Sequence, residues 1–173
     1  MTGNQTSRMS MVILMLPLVI VCQLIAAPVT GHPPCTPGAG GETSLGQTIY
    51  VPAYSDIPFR DATRRYQLAV TLSMRNTDWV QPIRVTSVRY FDTEGRLLHA
   101  YVEQALRLAP LAATTLVVAE HDTRGGAGAS FLVEWRAEVA VHAPVVEAVM
   151  IGTSGTQGIS FISPGRVLRT QCP

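Results

Sequence analysis

The chain has 173 residues, enough for one ordinary domain beyond a targeting segment. With 47% hydrophobic and 14% charged residues, it should bury a core, and a disordered chain is excluded. All 13 basic residues are arginine and the net charge is +1. Chemistry that needs a lysine is therefore excluded (a Walker loop, a Schiff base, a Ser–Lys dyad), and nucleic acid lacks the basic stripe it would require.

The first predicted element is an export signal over residues 1–27. Arg8 precedes the apolar run MVILMLPLVIVCQLIAA, residues 11–27, and small residues follow, the charged–apolar–small order of such segments. Cleavage after Ala27 is disfavoured by Pro28, which leaves Ala26 and Gly31 as the better cut points. A retained membrane anchor is the alternative, although the run is short against the roughly 20 residues that span a bilayer comfortably. Val21 is too bulky for the small residue that usually precedes a lipidated cysteine such as Cys22. Removing Arg8 with the signal leaves 12 arginines against 12 acids. It also leaves Cys35 and Cys172 near the two ends of the mature chain, an even pair suited to a disulfide in an oxidising compartment. Two free thiols are the alternative.

Residues 28–46, PVTGHPPCTPGAGGETSLG, are rich in Pro and Gly and read as a linker, so the folded body is expected over 47–173. From there the hydrophobic period is two. Tyr66, Leu68, Val70, Leu72 and Met74 alternate with Gln67, Ala69, Thr71, Ser73 and Arg75, a strand with one buried face. Phe131, Val133, Trp135, Ala137 and Val139 alternate with Glu134, Arg136 and Glu138, which turns Trp135 toward the core. Further strands are expected at 48–54, 83–91, 97–102, 114–120, 145–151 and 158–168. In 83–91 the apolar face switches after Val85, which predicts a bulge near Thr86 or Ser87. Residues 97–108, LLHAYVEQALRL, read as strand then turn, with a short helix as the alternative. Turn-rich strings separate these runs every 8 to 15 residues or so, a spacing that favours a single antiparallel β-sandwich of immunoglobulin-like type.

The strings YVPAYSDI, LAVTLSMRNTD, VRYFDTEGRLLHAYV, LAPLAATTLVVAEHDTRGGAGASFLVEWRA and VEAVMIGTSGTQGISFISPGRVL, in this order, cover nearly everything from Tyr50 to Leu168. In them the chain resembles a bacterial family catalogued as domain of unknown function 3124. The resemblance implies one exported domain and supplies no catalytic residues to carry over.

GTSGTQG, residues 152–158, looks most like a functional loop. Its glycines have the wrong spacing for a dinucleotide fingerprint, a strand and not a helix follows, and Gly155 directly after Ser154 breaks the G-x-S-x-G elbow. A hairpin turn is expected. RGGAGAS, residues 124–130, is expected to be a second turn with a mobile tip. Trp79 in NTDWVQP is expected to cap the open end of the core, with an exposed contact residue as the alternative. The four histidines, 32, 99, 121 and 142, have no metal-ligand spacing, and no cofactor is expected.

Connections between consecutive antiparallel strands alternate between the ends of a sheet, which places DTEGR, HDTRGG and GTSGTQG at one end. That end would gather Asp92, Glu94, His121, Asp122, Ser154 and Gln157. Carboxylates with loop carbonyls are ligands for a hard cation such as calcium; the plainer reading is solvated turn residues. The reading favoured overall is a non-catalytic binding or structural module of the cell envelope, periplasmic or extracellular. Its partner would be an envelope protein, a glycan or a small ligand, and it would meet the membrane only through an uncleaved N-terminal segment. The alternative is a secreted hydrolase using Ser154 or the His121 and Asp122 loop.

Overall fold

A computed structural model describes residues 43–154 and 156–172. The expected signal 1–27, the linker up to residue 42 and Cys35 lie outside the described residues. Twelve strands follow one another among those described: β1 (Thr43–Pro52), β2 (Asp56–Phe59), β3 (Arg64–Gln67), β4 (Ala69–Arg75), β5 (Ile83–Phe91), β6 (Leu97–Ala100), β7 (Leu106–Leu108), β8 (Ala113–Val118), β9 (Ser130–His142), β10 (Val145–Ser154), β11 (Gln157–Pro164) and β12 (Arg166–Gln171). A short 3-10 segment, Thr123–Gly128, lies between β8 and β9. The molecule is nearly all β, and its strands pair antiparallel throughout.

One sheet runs β12-β1-β9-β5-β6, with β7 also paired to β5; a second runs β11-β10-β4-β8; β2 and β3 form a separate ribbon. Alternation along each strand decides what is buried. Ile49 and Val51 of β1, Phe131, Val133 and Trp135 of β9, Val70, Leu72 and Met74 of β4, and Ala148 and Met150 of β10 all join one cluster of buried residues. Each fully buried Val, Leu, Phe or Met side chain contributes about 1.5–3 kcal/mol relative to exposure, so this cluster is the main source of stability. In β5 the buried set passes from Ile83 and Val85 to Val88 and Tyr90. The register against β9 shifts between Val85 and Ser87, the bulge the sequence predicts, and the Thr86 hydroxyl donates to Glu134 O at 3.2 Å.

Several boundaries differ from expectation. β1 begins at Thr43, inside the expected linker, because Thr43 and Ser44 pair with His142 and Val141 at the far end of β9. The run expected as one strand over 66–74 breaks at Leu68, whose N–H donates to Ser55 O at 2.9 Å. Before that point the chain pairs with β2, and after it with β10 and β8. Residues 158–168 also split. Gly165 takes the chain from β11 in one sheet to β12 in the other. A Cβ on Gly165 would lie 2.6 Å from Ile49 Cγ2 and 2.7 Å from Val146 O, so the crossing needs the missing side chain. Residues 97–108 form β6 and β7 and no helix.

A polar clasp closes the end of the sheets where β4 turns into β5. The Asn76 side chain donates to Gln81 O at 2.8 Å and Ala109 O at 3.0 Å and accepts from Asp78 N at 3.0 Å. The Asp78 carboxylate accepts from Val80 N at 2.9 Å, Gln81 N at 2.8 Å and His142 N at 3.2 Å. Because these buried amides take the place of an apolar plug, Trp79 does not cap the core. It is 67% exposed and lies against the His142 ring, 5.2 Å between centroids.

Two predictions follow from this end of the molecule. Leu111 sits at φ 57° in the turn closed by Ala112 N to Ala109 O, directly after Pro110, where the type II pattern calls for glycine. Its side chain is 69% exposed, so removing it sacrifices little packing. Leu111→Gly should therefore raise stability in urea titration by about 0.5–1 kcal/mol, the left-handed penalty less the added freedom of the unfolded chain. The backbone N–H groups of Gln81 and Val80 hold the Asp78 carboxyl at about 2 against an ordinary 3.8. A depressed folded pKa gives stability that is complete above about pH 4 and lost as pH falls toward 2. The gap in urea midpoint between wild type and Asp78→Asn should accordingly be widest above pH 4 and shrink below it.

Candidate functional site

The opposite end of the sheets carries the loops that the sequence groups together. The loop after β5 is an Asx-type turn. One Asp92 carboxylate oxygen accepts from Glu94 N at 3.0 Å and Arg96 N at 2.8 Å, and the other from Arg96 Nε at 2.9 Å. Gly95 supplies the positive φ, 77°, that the turn requires. Thr93 then ties this loop to the 3-10 segment: its N–H and hydroxyl both donate to Gly125 O at 3.0 Å, and its hydroxyl oxygen accepts from Gly128 N at 3.1 Å.

RGGAGAS, expected as a mobile tip, is thus a packed hub. Gly126 N donates to Ser55 Oγ at 2.8 Å, and Ser55 N donates back to Gly126 O at 3.1 Å. Gly125 is buried, and a Cβ there would collide with the Tyr90 hydroxyl. The glycines are needed because the Tyr90 and Thr93 side chains pack directly onto the backbone at Gly125, Gly126 and Gly128, and because Gly126 sits at φ 72°.

The third loop joins the same end through the β2–β3 ribbon. β10 and β11 pair to the last step, Ser154 with Gln157, so GTSGTQG is the hairpin connection expected. The Tyr66 hydroxyl lies 3.3 Å from Gly152 O and 3.1 Å from Gln157 O and holds the ribbon against the hairpin. A hollow of about 270 Å³ opens between them, lined by Asp56, Arg65, Tyr66, Glu120, Thr123 and Thr153. The first loop thus contacts the 3-10 segment, and the second and third loops contribute Thr123 and Thr153 to one hollow.

Four carboxylates at this end, Asp56, Asp92, Glu94 and Asp122, are already engaged, while Glu120 at the hollow has no ion pair with a described residue. Asp122 accepts from Arg124 Nε at 2.8 Å and Nη2 at 2.7 Å. That guanidinium, the largest influence, holds the Asp122 carboxyl below the ordinary value despite partial burial. Burial pushes the Asp92 carboxyl upward, but the Arg96 N–H and guanidinium together outweigh it and leave it lowered. Glu94 pairs with Arg96 Nη2 at 2.9 Å, and Asp56 pairs with Arg65. Among the described residues no group of three or more His, Cys, Asp or Glu is placed to hold a metal ion.

Among the described residues no nucleophile and base are brought together either. The hydroxyls of Ser55, Thr63, Thr77, Thr86 and Thr93 donate to backbone carbonyls, and among the described residues none donates to a histidine. The Ser154 side chain is outside what the structure describes. His121 is exposed, and its neighbour Asp122 is held by Arg124. One His–carboxylate contact, His142 Nδ1 to Asp78 Oδ2 at 3.3 Å, lies at the other end and serves the clasp. Burial pushes the Tyr90 phenol up to about 12, which keeps it neutral between the loops. Sequence reasoning missed Ser55, Tyr66 and Thr93, hydroxyl-bearing residues in strand or turn context whose partners are dozens of residues away.

A crystal structure described as Thermotoga maritima 1070 superposes with a TM-score of 0.45 at 8% identity, covering 72% of this chain and 97% of that one. No curated protein matches the chain. Residues 46–168 match the family described as "Protein of unknown function (DUF3124)", and the chain belongs to that family.

Proposed function

We propose that the protein is an exported, non-catalytic module of the cell envelope, built as an immunoglobulin-like β-sandwich, that presents a sheet face to a partner protein. The sandwich reading rests on buried faces of both sheets contributing to one cluster and on the one-residue crossing at Gly165. The binding reading is carried by the outer face of β11-β10-β4-β8. Ile162, Val149, Thr71 and Val117 form one cross-strand row, and Ile151 lies on the same face beside it. Ile162, Val117 and Ile151 are 60%, 58% and 52% exposed. A contiguous apolar patch on a sheet is the usual mark of a protein contact surface. No observation favours the hydrolase alternative at Ser154 or His121 and Asp122.

A photo-crosslinking residue placed at Ile151 in cells should give a discrete adduct that Val117→Glu removes. Failure to form any adduct, or turnover of an ester by the purified chain that Ser154→Ala abolishes, would overturn the module reading.

Export carries with it the Cys35–Cys172 bridge. Cys35 lies outside the described residues. The pairing of Gly46 with Gln171 supports the bridge, because it sets the end of β12 beside the first residues of β1. Closing a loop above 100 residues stabilises by roughly 4–5 kcal/mol in the chain-entropy model. Protein recovered from the envelope fraction should keep its mass on alkylation without reductant and lose thermal stability once reduced. Two alkylated thiols would exclude the bridge.

A further inference from the structure

The outer face of the other sheet carries an arrangement of different character. Arg107 of β7 is the direct cross-strand partner of Arg84 in β5, and Arg84 is the direct partner of Arg136 in β9. Directly opposed side chains point to the same side of a sheet. Adjacent strands lie about 4.8 Å apart, so three guanidinium groups start from backbone positions spanning about 10 Å. Like charges in opposed positions repel and are ordinarily avoided. Only Arg84 has an acidic partner, Glu138 Oε1 at 2.9 Å. Arg107 and Arg136 form no ion pair or hydrogen bond with any described residue.

The row borders a concavity of about 520 Å³, whose lining also includes Gln81, Pro82, Ala137, Glu138 and Val139. That volume falls within the range of small-ligand sites. Three arginines against one glutamate leave the hollow with a local charge of +2. The surroundings hold the row in place: Arg89 is taken by Glu134 at 2.7 Å, and the bulge at Thr86 fixes the offset of β5 against β9.

We propose that this hollow is an anion site for a doubly charged phosphate group, with Arg107 and Arg136 as its principal donors and Arg84 between them. The guanidinium fork matches phosphate oxygens in bidentate fashion. A tetrahedral dianion offers oxygens to several forks at once and balances the local charge, whereas a carboxylate satisfies one fork and leaves the others opposed. The site does not depend on the apolar face of the second sheet or on export, and either reading can fail without the other.

The test uses the folded chain at low ionic strength, with inorganic phosphate in one arm and vesicles of phosphatidic acid in phosphatidylcholine in the other. Saturable phosphate binding, read from arginine Nε–H resonances, should weaken at least fivefold in Arg107→Gln and in Arg136→Gln. Arg64→Gln, in the β2–β3 ribbon, should bind as wild type does. Saturable binding in either arm with this variant pattern supports the site, and the responding arm identifies a free or a lipid phosphate. No saturation in either arm up to about 20 mM phosphate overturns the proposal, as does unchanged binding in the double variant. Neither arginine is buried, so the variants should keep the wild-type circular dichroism and urea midpoint or exceed it, which separates lost binding from lost fold.

Discussion

β9 lies between β1 and β5, and from Phe131 to Arg136 its side chains point alternately inward and outward; beyond that the expected alternation fails, and Val139 is 48% exposed. Phe131, Val133 and Trp135 are buried in the common core, while Glu134, Arg136 and Glu138 face outward. A slip of one residue on either side would drive charges inward and aromatic rings into water. The alternation of this strand therefore fixes its two neighbours. Through β1 it also fixes β12, and through the crossing at Gly165 it sets where the second sheet begins. The β5 bulge and the shift in β1 between Ser44 and Gly46 are where the two neighbours change register against β9.

Both ends of the sheets are closed by polar side chains that satisfy backbone groups, not by apolar plugs. At one end Asn76 and Asp78 gather N–H and C=O groups from three chain segments; at the other Ser55, Thr93 and Asp92 do the same. A buried amide left without a partner costs about 1–3 kcal/mol, so these side chains are committed to structure. The Asp92 and Asp122 carboxylates in the acid-rich turns are committed in the same way. The oxygens a cation would need already accept from Arg96, Arg124 and backbone N–H groups. A turn dense in Asp, Glu and Gly reads the same in sequence whether its carboxylates are free or spent. Only the position of the arginines two and four residues downstream hints at the difference.

What the sequence makes legible is whatever depends on one strand alone. The limits of β5, its bulge and the inward Trp135 follow from the local alternation of apolar residues. The contact between the first and second loops, and the hollow shared by the second and third, follow from the alternation of connections. Features that depend on which strands become neighbours are not legible. The β2–β3 ribbon is short and contains Pro58, so its pattern is too weak to announce a strand. Tyr66 continues the β4 alternation in sequence but belongs to another ribbon, because Ser55 captures the Leu68 N–H. Gly165 looks like an interruption within one strand, yet it is a transfer between sheets, decided by how closely Ile49 and Val146 approach it. The arginine row is the clearest case. Arg84, Arg107 and Arg136 are unremarkable outward residues on three strands until pairing puts them in line.

That line bears on how the two outer faces divide their roles. An opposed pair of like charges on a sheet is unfavourable by about 0.2–1 kcal/mol, and the row contains two such pairs. Elsewhere on the same face Arg89 pairs with Glu134, and within the row Arg84 pairs with Glu138, so acidic residues are available within one strand's reach. On the second sheet the outward row Ile162, Val149, Thr71 and Val117 carries no charge at all. One face thus carries Arg107 and Arg136, without ion pairs among the described residues, beside a hollow, and the other carries an uncharged row next to the Arg75–Glu147 pair. Folding stability favours neither feature, since neutral polar side chains at these positions would keep the strands and relieve both the repulsion and the exposed hydrocarbon. The proposed anion on the first face and the proposed partner surface on the second would each offset that disadvantage, with the common core holding the two faces in register.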